Sequence, residues 1–188
     1  MVTQQELSYR QLITLRDGAR VLLRPLTKDD RQALIDLFKP VTPEERRYMM
    51  HDVSNLELIG SWADKLDYDQ VFPMVAMAGD RMVGDATLRF REGPARHRGE
   101  IRIFLARDFR RRGLATRMIQ ALVDLAKRRG LYMLEAIIAA DRASDIKAFQ
   151  NLGFEQAHIY ADFWMLPDGD LRDLSHMVLR LRNTTEEY

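Results

Sequence analysis

Apolar positions along this chain fall into two rhythms, and the changes between them outline the elements. Gln11–Leu15 and Arg20–Leu26 are apolar-rich and flank Arg16-Asp17-Gly18-Ala19, an Asp-Gly turn that predicts a hairpin. Thr27 then reads as a helix N-cap, with Asp30 in place of the usual capping-box glutamate. The helix it opens carries Leu34, Ile35, Leu37 and Phe38 and stops near Pro40. A second helical stretch starts at Thr42-Pro43, and a third spans Leu56 to Leu66. From Val71 the pattern changes. Val71–Ala78 and Met82–Phe90 read as strands around Ala78-Gly79-Asp80-Arg81, and a polar loop runs from Arg91 to Gly99.

Glu100–Leu105 alternates as a strand, and Leu114, Met118, Ala121, Leu122 and Leu125 return at helical spacing until Gly130. Met133–Ala139 reads as a buried strand and Ser144–Leu152 as a short helix stopped by Gly153. Phe154–Tyr160 and Ser175–Leu181 read as the last strands. This order predicts one mixed α/β (α+β) domain over residues 1–188, with its core at about 11–182 around a single central sheet. Met1–Tyr9 and Arg182–Tyr188 are expected to be loose.

Composition narrows the chemistry. A net charge of +1 gives no global pull toward nucleic acid or membrane. No apolar run of about 18 residues and no basic-then-apolar leader is present, so a cytoplasmic protein is expected. The absence of cysteine excludes disulfides, thiolate metal sites and an acyl-cysteine intermediate. His51, His97, His158 and His176 are scattered without i,i+4 pairing, so no metal site is expected.

The segment that carries chemistry runs from Ile101 to Thr116: a strand, an Arg-rich turn, then Gly113-Leu114-Ala115-Thr116 opening a helix. A helix N-terminus presents unpaired N–H groups and partial positive charge, which together seat phosphate. Gly113 and Ala115 let backbone amides approach an anion, and Arg110, Arg111 and Arg112 add cationic donors. The spacing matches neither a Walker loop nor the dinucleotide fingerprint. Three arginines on a turn taken alone are more often solvated surface than ligand.

Arg110-x-x-Gly113-x-Ala115, with the strand before it, the amphipathic helix after it and Phe149-x-x-x-Gly153-Phe154 near the end, resembles the R/Q-x-x-G-x-G/A signature of the GNAT acetyltransferases. The resemblance implies acetyl-CoA as cosubstrate. Its pyrophosphate would lie on amides around Arg111, Arg112, Gly113, Leu114, Ala115 and Thr116, and its pantetheine along Ile103, Phe104 and Leu105, where the sheet splays. Backbone N–H groups near Phe104 to Ala106 would polarise the thioester carbonyl. A closer similarity is to the catalytic domain of bacterial Pat-type protein lysine acetyltransferases. It rests on Asp17-Gly18 through Asp29-Asp30, on Arg46-Arg47-Tyr48, on Asp67-Tyr68-Asp69, and on Glu100 thirteen residues before Gly113. It implies a protein partner with an exposed lysine, such as an acyl-CoA synthetase. The regulatory domains usual in those enzymes are not expected in a chain of this length.

Acetyl transfer needs a neutral amine, hence a base nearby. The resemblance implies Glu100 in that role; a pairing of Glu100 with Arg102 or a cross-strand cation is the structural alternative. The tyrosine that many relatives use as general acid is replaced by Phe149, leaving Tyr160 and Tyr132 as unranked candidates. Where many relatives carry an asparagine near the start of the Ser144–Leu152 helix, Arg142 or Asp141 stands instead; Arg142 is a further candidate for the coenzyme phosphates, or a surface charge. Trp62, Tyr68 and Phe72 are candidates for the acceptor cleft or for core. A small-amine acceptor and a non-catalytic acetyl-CoA sensor remain as alternatives.

Overall fold

The computed structural model describes residues 1–181. Eight strands form one sheet in the order β1-β2-β3-β4-β5-β6-β8-β7. They are β1 (Gln11–Thr14), β2 (Arg20–Pro25), β3 (Val71–Ala78), β4 (Arg81–Phe90), β5 (Arg98–Leu105), β6 (Met133–Ala139), β7 (Glu155–Met165) and β8 (Leu171–Arg180). Every neighbouring pair is antiparallel except β5 and β6. That parallel pair requires a crossover, and helix α5 (Leu114–Arg128) supplies it.

The sheet separates two faces. Leu105 points toward α5, because a Cβ on neighbouring Gly84 would meet Leu105 at 2.7 Å and Met118 of α5 at 3.0 Å. Phe104 points the opposite way and stacks on Phe38 of α2 (Arg31–Phe38), with ring centroids 4.7 Å apart. Leu114, Met118, Ile119, Leu122 and Leu125 of α5 are fully buried in the core. Each such side chain stabilises the fold by about 1.5–3 kcal/mol through burial. On the other face α2 packs against β4 and against α4 (Leu56–Asp64). Between them lies the one-turn helix α3 (Pro43–Arg46), capped by Thr42 and Glu45.

The expected capping box at Thr27 is present: the Thr27 amide donates to Asp30 at 2.7 Å, and Arg24 grips the same carboxylate at 2.6 and 2.7 Å. It opens a 3-10 turn, Lys28–Asp30, that leads into α2. Where a loose start was expected, Thr3 and Glu6 cap a short helix, α1 (Gln4–Leu7). Glu6 is buried and paired with Arg129 at 3.0 Å, which ties the segment to the end of α5. The expectation for Arg182–Tyr188 lies outside the described residues.

Other differences lie at element ends. Strand β5 begins at Arg98, and α6 spans Ala143–Gln150. Strand β7 runs on to Met165, past the expected end at Tyr160, and β8 starts early at Leu171. A bulge between Tyr160 and Trp164, with Asp162 at φ 52°, interrupts the alternation without ending the hairpin. No helix among the described residues is long and apolar enough to cross a membrane.

Candidate active site

Strands β5 and β6 pair at only three positions: Arg98–Met133, Gly99–Leu134 and Glu100–Glu135. Beyond Glu100 they part. Ile101–Leu105 stays with β4 and Ala136–Ala139 stays with β8, which leaves a V-shaped notch between them. The apex is tight because position 99 has no side chain: a Cβ there would meet Leu88 at 2.7 Å and Leu131 at 2.9 Å. Along the open edge of β5, backbone N–H and C=O groups at alternate residues have no strand partner, so an amide-bearing ligand can pair with them. Ile103, Phe104 and Leu105 lie on this edge.

At the wide end of the notch, a 3-10 turn (Arg107–Phe109) leads through Arg110–Gly113 into α5. Arg111 and Gly113 both adopt left-handed backbone conformations, at φ 57° and 86°. Glycine tolerates that region freely, and the non-glycine Arg111 occupies it at a cost. Among the described residues the N–H groups of Arg111, Arg112, Gly113, Leu114, Ala115 and Thr116 have no acceptor; the first to bond back is Arg117, to Gly113. Six adjacent free amides at the positive end of a fifteen-residue helix fit a pyrophosphate.

The arginine side chains are placed less simply. Arg110 turns back on the protein: its Nε donates to the Leu105 carbonyl at 3.0 Å, its Nη1 meets Glu45 at 2.7 Å, and it lies over Phe104. Arg112 pairs with Asp17, donates to the Asp108 carbonyl at 2.9 Å and stacks on Phe109. Arg111 is exposed at the loop tip. Arg142 sits across the notch at the start of α6, where it holds Asp145 at 2.6 Å and lies over Tyr48. A phosphate at this loop would therefore meet backbone first, with Arg111 the guanidinium left at its edge.

Glu100 stands at the apex, buried, on the face it shares with Arg102 and Phe104. Both structural partners foreseen for it are present. Oε1 accepts from Arg102 Nε at 2.6 Å and Oε2 from Arg91 Nη2 at 3.0 Å. Its register partner Glu135, also buried, accepts from Arg98 at 2.9 Å and lies 2.8 Å from His176 Nε2. The Tyr160 ring stacks on His176 at 6.1 Å, and His176 lies against Glu135, whereas Tyr132 immediately precedes β6, on the closed side of the apex, beside His97. Phe149 packs edge-on against Phe154 in the core.

Residues 42–52 form a strap over the notch mouth. At one side Glu45 binds Arg107 at 3.1 Å and Arg110 at 2.7 Å; partial burial raises its carboxyl, but the bonds it accepts from Arg107, Arg110 and the Thr42 amide outweigh that and hold it down at about 2. At the other side Tyr48 donates to Asp141 at 3.2 Å and Arg47 pairs with Asp168 of the β7–β8 turn. At its end, His51 lies 3.4 Å from Arg102 and edge-on to Trp62. Desolvation and the Arg102 and Arg89 charges push the His51 imidazole down, favouring its neutral form. Of the aromatic residues considered for the acceptor cleft, Trp62 borders it through Phe38 and His51. Tyr68 donates to the Leu26 carbonyl at 2.7 Å and contacts Phe72, which is fully buried; both belong to the core. Two segments named from the sequence fall on the strap: the helix start at Thr42-Pro43, a capping box whose Glu45 also reaches two arginines, and Arg46-Arg47-Tyr48.

Comparison with known proteins agrees with this geometry. Residues 20–155 match the family model described as the acetyltransferase (GNAT) domain. A curated relative, an uncharacterised N-acetyltransferase of Methanocaldococcus jannaschii, is 26% identical over 145 residues, 73% of this chain and 62% of that protein. The chain thus spans less than two thirds of that relative's length. Among solved structures, the GNAT domain of PAT from S. lividans superposes with a TM-score of 0.78 at 17% identity, covering 96% of this chain and 100% of that one. A putative acetyltransferase of Salmonella typhimurium, solved with its cofactor acetyl-CoA, gives 0.75 at 18% identity, covering 88% and 96%. A strand pair that splays beside a helix N-terminus with free amides, under a family model matching more than half its length, means that this chain belongs to the GNAT acetyltransferase family.

Proposed function

We propose that the protein is an acetyl-CoA-dependent N-acetyltransferase acting on a lysine side chain of a protein, with Glu100 as general base. The observation that carries this reading is the placement of a buried carboxylate at the apex of the splayed β5–β6 notch, whose wide end leads to six free amides. The amides of Arg111 to Thr116 hold the pyrophosphate, and the β5 edge at Ile103, Phe104 and Leu105 pairs with the pantetheine amides. Acetyl-CoA supplies the activated acetyl group as a thioester. The acceptor ammonium gives a proton to Glu100, directly or through one water, and its nitrogen attacks the thioester carbonyl. The N–C bond forms to give a tetrahedral intermediate whose nitrogen still carries a surplus proton. As the C–S bond breaks, that second proton passes to the leaving thiolate, directly or by way of water or Tyr160, and Glu100 returns the first to solvent.

Glu100 carries two guanidinium donors, one on each oxygen. A carboxylate has about four lone-pair directions, so acceptor capacity remains for the proton. The ion pairs fix the carboxylate's orientation at the notch.

The test is a coupled measurement on wild type and Glu100→Gln. Acetyl-CoA titration by calorimetry reports the seat; thiol release with candidate proteins, acyl-CoA synthetases first, reports transfer. The expected result is coenzyme affinity retained within about twofold and turnover down by about a hundredfold or more. Equal turnover by both would remove Glu100 from the reaction. Transfer to small amines alone would move the acceptor class.

A further inference from the structure

Around the apex, charge does not balance. Arg89, Arg91, Arg98 and Arg102 share one face of β4 and β5 with Glu100, and among the described residues Glu135 is the one other carboxylate in ion-pair contact with them. Arg91 and Arg102 hold Glu100, and Arg98 holds Glu135. Arg89, directly across from Glu100 in the register, has no carboxylate within ion-pair reach among the described residues and is only partly buried. Arg102 is also incompletely used: its Nε is on Glu100, its Nη1 faces an imidazole, and its Nη2 has no partner among the described residues. The other acids do not reach this spot. Asp85, further along β4 beside Phe104, is buried, and Asp52 on the strap is exposed and bonded to Ser54. His51, between Arg89 and Arg102, adds no negative charge.

A lone protonated amine approaching this floor would meet net positive charge. An amine carried beside an anion would not. We infer that Arg89, with the free end of Arg102, is a specificity determinant that selects acceptors whose amine lies next to a carboxylate. This deepens the lysine-acetylation reading and rests on it. The carboxylate belongs to an acidic residue flanking the target lysine, or to a small molecule carrying amine and carboxylate together. In either source it docks on Arg89 and Arg102 while the amine points to Glu100. A planar carboxylate suits guanidinium donors, and the partly desolvated setting strengthens the pairing.

The experiment uses the whole chain with saturating acetyl-CoA and reads kcat/KM by thiol release. One arm compares peptides with a central lysine flanked by aspartates or by arginines. The second compares Nα-acetyllysine with its carboxamide, which differ only in the carboxylate. Both arms are repeated on Arg89→Gln and Arg89→Lys, with acetyl-CoA affinity as the control for folding. The expected result is a preference of about tenfold or more for the carboxylate-bearing acceptor in one arm, weakening as salt rises. That preference should fall below about threefold in Arg89→Gln and return largely in Arg89→Lys. Preference in the peptide arm identifies a protein acceptor; preference in the second arm identifies a small one. Equal rates in wild type, or a preference that Arg89→Gln leaves intact, would overturn the inference while the transferase reading stands. Binding of acetyl-CoA with no transfer to any of these amines would overturn the transferase reading and this inference with it.

Discussion

The two sides of the notch are built from different materials. On the side proposed for the coenzyme the available groups are backbone: free amides from Arg111 to Thr116 and the unpaired edge of β5. On the acceptor side they are side chains: Glu100, Glu135, four arginines and the strap from Thr42 to Asp52. A backbone seat needs little from the sequence beyond small residues at fixed offsets and one position free to take positive φ. A side-chain floor depends on which distant residues the fold brings together. The first can stay constant while the second changes the acceptor.

The largest effect that would test this division is a break in the backbone seat at Gly113. Its φ of 86° is open to glycine and strained for other residues, although a Cβ there would meet nothing closer than 3.8 Å. Gly113→Asp adds that strain and puts a negative charge where an anion sits. Acetyl-CoA affinity is expected to fall about a thousandfold, or roughly 4 kcal/mol. Calorimetric titration reads this directly. Affinity held within tenfold would mean that the pyrophosphate lies elsewhere and that the loop amides are free for another reason.

The next effect comes from Asp85, on β4 beneath the notch. It is buried beside Phe104, its Oδ1 has no partner, and desolvation pushes its carboxyl up to about 7. A raised carboxyl pKa costs stability as pH rises. Between the unfolded value of 3.8 and about 7, unfolding releases a proton that the folded state keeps, so stability falls across that window and levels off above it. From pH 5 to pH 8 this single group should account for roughly 2–3 kcal/mol. Asp85→Asn should lack that component. Urea denaturation of both proteins at the two pH values measures the difference, and parallel curves would show that Asp85 ionises at an ordinary pH.

The same division explains what the sequence could disclose. Gly113 and Ala115 at the head of an amphipathic helix marked the run of free amides, because backbone geometry leaves a local trace in residue size. The hairpins, α5 and the order of strands were legible for the same reason: turn chemistry and periodicity are short-range. Arg110 and Arg112 were legible as cations and not as partners. Their carboxylates, Glu45 and Asp17, lie on segments far away in sequence, and nothing local to Arg110 says that its guanidinium turns back to Leu105. Glu135, His51 and Asp85 left no signal, since each matters only through a neighbour on another strand or helix. The extension of β7 past Tyr160 was hidden by the bulge at Asp162, which breaks the two-residue period while keeping the pairing.

The smallest effect concerns the strap, where the two sides meet. Glu45 caps α3 through the Thr42 amide at 3.2 Å and binds Arg107 and Arg110, the two cations that flank the start of the phosphate loop. With its carboxyl held at about 2, it stays ionised at every pH used for assay, so it is a permanent internal anion beside a seat for anions. Coenzyme phosphates arriving there must compete with it for both guanidiniums. Glu45→Gln keeps an oxygen for the Thr42 cap and removes the charge. Acetyl-CoA affinity should then rise about three- to fivefold at low salt, with a smaller gain at high salt and no change in the gain between pH 6 and 9. The opposite result, weaker binding, would show that Glu45 aims Arg107 and Arg110 at the coenzyme. The strap would then belong to the coenzyme side, and the division between backbone and side chains would fail at this point.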